Sequence, residues 1–216
     1  MDIDKLICTL KKSTALFTPP LIDIIVAECG HDPFLILIAC LLSLRAKDTT
    51  TIHVCRVLFG TIRTPAQLCA MDRHELEVIV FKTGFYKNKA EVLQSVSAEL
   101  LARFAGKVPD TYDELISIKG IGPKTANLVL GSGFNKPAIC VDTHVHRISN
   151  RLGLIKTATV EETERALKAV LPQKHWITWN NVLVMWGQNI CVPISPKCSQ
   201  CPIADQCKRV GVGKHR

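Results

Sequence analysis

The chain has 216 residues, enough for one large domain or two small ones, and 47% of them are hydrophobic, which excludes a disordered polypeptide. Lys and Arg outnumber Asp and Glu by 27 to 19, a formal charge of +8, so a polyanionic partner is expected, nucleic acid first. The opening MDIDKLICTLKK carries acid where a secretory signal needs base, and the longest apolar run, FLILIACLLSL at 34–44, is too short to span a bilayer. These features lead to the expectation of a soluble intracellular protein with no membrane partner, in the cytoplasm or nucleoid if the cell is prokaryotic.

Taken in chain order, the punctuation is that of helices. Asp32-Pro33 reads as an N-cap with Pro at the first helical position, and so does Thr64-Pro65. The 34–44 run between them reads as a buried helix. Asp72…Glu75, Thr111…Glu114 and Thr159…Glu162 fit the capping-box spacing or its Asp variant. From Glu91 to Phe104, the residues Leu93, Val96, Leu100, Leu101 and Phe104 fall on one helical stripe. Strand signals are almost absent. The expectation is an all-α protein of about ten short helices. A break at Gly133-Phe134-Asn135-Lys136-Pro137 suggests two helical lobes, 25–136 and 1–24 plus 137–216, with a ligand cleft between them.

The segment LISIKGIGPKTANLVL, within 115–130, holds a glycine hairpin. Gly120-Ile121-Gly122 makes a tight turn, and Pro123 opens the next helix. Glycines bring bare N–H groups close to a ligand, and at a helix N-terminus those groups suit a phosphate. An ordinary αα-turn explains Gly-x-Gly alone. The full pattern, with Pro123, Thr125-Ala126 and apolar flanks, resembles the helix-hairpin-helix motif, which holds DNA backbone without reading its sequence.

Lys124 sits where a helix dipole disfavours a cation. It either contacts an anion there or is wanted as a neutral nucleophile. Asp142 follows in AICVDTHVHRISNRLGL, where it can cap the helix through Arg147 and Arg151 or serve as a carboxylate in catalysis. Of the ten cysteines, Cys8, Cys29, Cys40, Cys55, Cys69 and Cys140 are scattered and read as small hydrophobes. Cys191, Cys198, Cys201 and Cys207 crowd into 191–207 with C-x6-C-x2-C-x5-C spacing. Four such thiolates can hold zinc or a [4Fe–4S] cluster, although a structural zinc site usually has two Cys-x-x-Cys knuckles and only one is present.

Together LLSLRAKD, GFYKNKA, GIGPKTAN, VDTHVHR and the terminal cysteines resemble the endonuclease III family of helix-hairpin-helix DNA glycosylases over almost the whole chain. The resemblance implies a bifunctional glycosylase and AP lyase, with Lys124 as Schiff-base nucleophile and Asp142 as catalytic carboxylate. It implies a [4Fe–4S] cluster on Cys191, Cys198, Cys201 and Cys207. It implies a monomer acting on double-stranded DNA that contains damaged pyrimidines or abasic sites. Arg45 stands where many members have a glutamine that fills the gap left by the flipped base, and Phe85 where many have a wedging leucine. Gly120, Gly122, His144 and Lys197 are the implied backbone contacts, with Lys87, Lys89, Arg147 and Arg151 as further candidates, and Asp48 is placed to orient the Arg45 loop. Relatives that excise mismatched thymine carry tyrosine in place of this lysine, so a monofunctional mismatch glycosylase is the alternative, with a non-catalytic DNA-binding module behind it.

Overall fold

The computed structural model describes residues 2–216, and among them every regular element is helical. The α-helices are α1 (Ile3–Thr14), α2 (Leu21–Cys29), α3 (Pro33–Ser43), α4 (Asp48–Thr61), α5 (Pro65–Ala70), α6 (Arg73–Val80), α7 (Tyr86–Phe104), α8 (Tyr112–Ile116), α9 (Pro123–Leu128), α10 (Thr143–Leu152), α11 (Val160–Val170) and α12 (Trp176–Asn189). A 3-10 turn at Phe81–Thr83 precedes α7, and a π-turn at Val129–Gly133 prolongs α9. None of these helices is long and apolar enough to cross a membrane.

The capping signals mark real helix starts. Asp32 accepts from the amides of Phe34 (2.9 Å) and Leu35 (3.1 Å) ahead of α3. Thr64 with Gln67, and Thr159 with Glu162, close full reciprocal boxes. Asp72 and Thr111 accept from the amides of Glu75 and Glu114. Each bond satisfies a donor that the first helical turn leaves without an intrahelical partner. In the second half of α7 the stripe is narrower than expected. Leu93, Val96 and Leu100 are buried, but Leu101 is 39% exposed and Phe104 half-buried. At 100° per residue Leu101 has rotated past the buried face, which Lys89, Ala90 and Ser97 complete.

The chain folds as two compact units. A middle lobe runs from Leu21 to Lys136, and a terminal lobe joins the first twenty residues to 137–216. The middle lobe starts at Leu21 rather than at residue 25 because α2 is one helix whose Leu21, Ile22 and Ile25 are all buried. Its centre is α3, in which every residue from Phe34 to Leu42 is buried. A helix apolar on all sides must be enclosed, and α2, α4, α7, α9 and the π-turn pack around it.

The terminal lobe packs α1, α10 and α11 with α12 over Leu6, Leu10, Val145, Ile148, Leu167, Leu183, Trp179 and Trp186. The buried indole of Trp179 donates to Ser149 Oγ at 3.2 Å, so this core has no orphaned indole N–H at that point. Ile203, from the cysteine loop, plugs into the same core.

Thr159 heads α11 through a side chain that accepts from the Glu162 amide at 3.1 Å, while Glu162 returns a carboxylate to the Ala158 amide at 2.8 Å. Thr159→Ala is expected to cost about 1 kcal/mol of folding stability, read as a lowered midpoint in chemical denaturation followed by circular dichroism, with no change in DNA binding.

Candidate nucleic-acid interface and cluster loop

The hairpin is built from α8, a turn and α9. Leu115 and Ile118 are fully buried and Ile121 nearly so, which ties the turn to the lobe. The two glycines do different work. Gly120 adopts φ +101°, and a Cβ there would lie 2.9 Å from Val92 Cγ1, so the fold itself requires glycine. Gly122 has an ordinary φ of −99°, and a Cβ there would meet nothing within 4 Å. The fold gives no reason for glycine at 122, whereas close approach of an outside ligand does. No side chain caps α9, whose N-cap is Gly122 and whose first residue is Pro123. Lys124 is exposed on this first turn. The buried thiol of Cys40 feels the Lys124 charge; burial pushes that thiol up to about 12 against the opposing pull of the lysine. The thiol therefore stays protonated near neutral pH and offers Lys124 no thiolate.

Two loops of the same lobe carry Arg45 and Phe85. Both residues adopt left-handed backbone, at φ 55° and 50°, which is uncommon for non-glycine residues and strained for a bulky one. Both are exposed, Phe85 by 65%, and the Arg45 guanidinium carbon lies 5.8 Å from the Phe85 ring centroid. That is cation–π range, worth about 0.5–1 kcal/mol at an exposed site. The pair lines one cavity with Leu41, Leu44, Asn88, Lys89 and Val92. Asp48 opens α4, a few residues after Arg45.

Three basic residues read as backbone contacts point inward instead. Lys89 is only 7% exposed, and its Nζ donates to the carbonyls of Leu42 and Thr83. Arg147 donates to the carbonyls of Cys191 (2.9 Å) and Gly187 (3.2 Å), and burial draws its pKa down. Arg151, 9% exposed, donates to the carbonyls of Val192 (2.8 Å) and Pro193 (2.6 Å). Their acceptors are carbonyls of helix C-terminal turns (Leu42, Thr83, Gly187) or of the cysteine loop (Cys191, Val192, Pro193), which lack regular backbone partners. Lys87 alone of this group is exposed.

In the terminal lobe Asp142 is the N-cap of α10. Its Oδ1 accepts from the amides of His144 and Val145, both at 2.9 Å. The capping role and a catalytic role are compatible, because the cap fixes the carboxylate's orientation. His144 lies in the first turn of α10. It is half-buried, with Nδ1 3.1 Å from Arg147 Nη2, against Gly187 of α12, where any side chain would collide with it.

Cys191, Cys198, Cys201 and Cys207 line one pocket with Arg151, Lys197 and Arg209. Burial raises the Cys201 and Cys207 thiols, and the neighbouring cysteines push the same way. A metal centre binds cysteines as thiolates, so occupancy of the pocket would offset the cost of ionising them. Yet among the described residues no three His, Cys, Asp or Glu side chains stand close enough to share one metal ion. Mononuclear zinc needs its sulfurs about 2.3 Å from a single point, whereas a cuboidal cluster spreads them, one cysteine per iron. N–H donors already face the sulfurs, from the Arg209 amide to Cys207 at 3.4 Å and from Arg151 to Cys191 at 3.5 Å, as thiolate ligands require. The residues fit a [4Fe–4S] cluster, which when bound supplies four iron–thiolate bonds that cross-link the loop.

Comparison with known proteins agrees. Residues 38–173 match the model of the HhH-GPD superfamily base excision DNA repair proteins, and residues 191–207 match the iron–sulfur binding domain of endonuclease III. Endonuclease III of Thermotoga maritima is 44% identical over 188 residues, covering 86% of this chain and 88% of that protein. A non-covalent endonuclease III–DNA complex is 34% identical with a TM-score of 0.84, covering 96% of this chain and 94% of the other. A trapped endonuclease III–DNA covalent intermediate is 33% identical with a TM-score of 0.82 over the same shares. The chain belongs to the HhH-GPD superfamily of base excision DNA repair proteins and, with its cluster loop, to the endonuclease III family within it.

Proposed function

We propose that this chain, a DNA glycosylase and AP lyase of base excision repair, works as an intracellular monomer that removes oxidised pyrimidines from duplex DNA through a Schiff base on Lys124. The observation that carries the reading is the setting of Lys124, an exposed amine on the first turn of an uncapped helix, two residues past a glycine left open to outside approach. A relative caught as a covalent intermediate with DNA supports a nucleophile on the protein rather than water.

The chemistry follows from the groups present. Duplex stacking hides the glycosidic carbon, so the nucleotide must first leave the stack. Hairpin amides hold one backbone phosphate, with His144 and Lys197 as further phosphate contacts. Phe85 wedges the opposite strand, and Arg45 donates to the orphaned base. The Lys124 amine then attacks C1′, and the C1′–N bond breaks with its electron pair leaving on the base. Asp142 stabilises the oxocarbenium-like centre and assists the proton transfers that open the sugar to an imine. Loss of a C2′ proton expels the 3′ phosphate oxygen by β-elimination, and hydrolysis of the imine frees Lys124. In this scheme the cluster is a structural cross-link and takes no part in bond making.

Borohydride reduces an imine to a stable amine, so it traps the wild-type protein covalently on a duplex containing one thymine glycol and on an abasic duplex. Lys124→Ala is expected to abolish both adducts; persistence of either moves the nucleophile elsewhere. Asp142→Asn is expected to slow single-turnover excision by roughly 100-fold or more with dissociation constants nearly unchanged, and a loss confined to affinity would contradict the catalytic assignment. The hairpin glycines should separate: Gly120→Ala lowers the melting temperature, whereas Gly122→Ala leaves it unchanged and weakens DNA binding about tenfold or more, the value of one charge-assisted hydrogen bond.

A further inference from the structure

Lys89 lies on the first turn of α7, where the helix dipole disfavours a cation. It is 7% exposed, and its partners among the described residues are backbone carbonyls: Leu42 at 2.7 Å and Thr83 at 2.9 Å. Among the described residues no carboxylate pairs with it. A buried charge without a counter-ion is costly, so the site must compensate. The compensation comes from where the two carbonyls sit. Leu42 is in the last turn of α3, and Thr83 ends the 3-10 turn at Phe81–Thr83. Both are helix C-termini, which carry partial negative charge and carbonyls lacking intrahelical partners. One ammonium therefore closes two helix ends at once.

Those two ends launch the two strained loops. Arg45 follows Leu42 by three residues, and Phe85 follows Thr83 by two. Both hold left-handed backbone, and both line the cavity whose wall includes Lys89. We propose that Lys89 is a positioning residue: its buried ammonium cross-links the Arg45 and Phe85 loops so that the gap-filling and wedging side chains enter the duplex as a matched pair. This rests on the reading that Arg45 and Phe85 enter the duplex. The cross-link itself does not depend on that reading, and the two can be tested apart.

The test compares the wild-type holoenzyme with Lys89→Met, which keeps the chain length and removes the donors, and with Lys89→Arg, which restores a charged donor. Amide hydrogen exchange without DNA reads the cross-link. In Lys89→Met, exchange is expected to rise about tenfold or more in residues 43–46 and 83–86 together, with α4 and α9 unchanged and Lys89→Arg recovering most of the protection. Single-turnover kinetics read its use. Excision from a duplex thymine glycol is expected to fall roughly 10- to 100-fold, while borohydride trapping on a single-stranded abasic oligonucleotide, which has no gap to fill, changes less than about twofold.

Loosening spread through the whole lobe, or confined to one loop, would overturn the proposal, as would equal losses on the two substrates. If wild type traps on neither substrate, the functional reading falls and takes the positioning role with it, yet the exchange pattern still decides whether the cross-link exists. Should Lys89→Met fail to fold, Lys89→Gln, a shorter and uncharged donor, replaces it; protection lost in neither loop would then sink the idea.

Discussion

A helix with no polar face has to be surrounded before it is stable, and α3 is surrounded along its whole length. Nine consecutive buried residues, from Phe34 to Leu42, confine its polar groups at the C-terminus to the backbone and the Ser43 hydroxyl, which donates to the Cys40 carbonyl. That end needs donors, and it is also where the chain must turn out toward solvent. Lys89 supplies the donors, and Leu44 and Arg45 make the turn, Leu44 44% exposed. The site loops of the middle lobe are thus consequences of enclosing one apolar helix. The same enclosure buries Cys40 and keeps its thiol neutral beside Lys124.

The terminal lobe solves a related problem differently. The cysteine loop has little regular structure, only short 3-10 turns at Cys198–Gln200 and Ala204–Gln206. Its carbonyls therefore need partners from elsewhere, and Arg147 and Arg151 on α10 supply them. Ile203 anchors the loop from below in the core built on Trp179 and Trp186. With arginine donors and an apolar plug already in place, the cluster completes a loop whose backbone is largely satisfied. A planar, always-charged guanidinium suits this use, because it reaches several carbonyls at fixed angles.

Much of this was legible in the sequence. Helix starts were, because Asp32, Thr64, Asp72, Thr111 and Thr159 act through bonds spanning only two or three residues. The hairpin and the cysteine spacing were legible for the same local reason. What spacing could not give was direction. Arg147, Arg151 and Lys89 carry the charges expected of a DNA-facing surface, yet each points inward to carbonyls remote in sequence. For Lys89 a signal did exist: Lys89, Leu93, Val96 and Leu100 share one face of α7, and a lysine on an otherwise apolar stripe asks for a buried acceptor. For the arginines no local signal existed, since their acceptors lie about forty residues away, in a loop whose path is set by the core.

Lys89 and Lys124 show how the fold assigns chemistry to identical side chains. Both stand on the first turn of a helix, α7 and α9, where a positive charge is locally unwelcome. At Lys89 the ends of two other segments converge on the amine, and burial lowers its pKa while two carbonyls take two of its three N–H donors. Those bonds hold the amine against the two segment ends. At Lys124 the preceding residues are Gly122 and Pro123, which respectively lack a side chain and an N–H, so the approach to the helix end stays open. A nucleophile needs both an unfavourable setting for its charge and a path for its electrophile. Sequence position provides the first to both lysines; only the glycine turn provides the second, which is why the reactive role is proposed for Lys124 and the scaffolding one for Lys89.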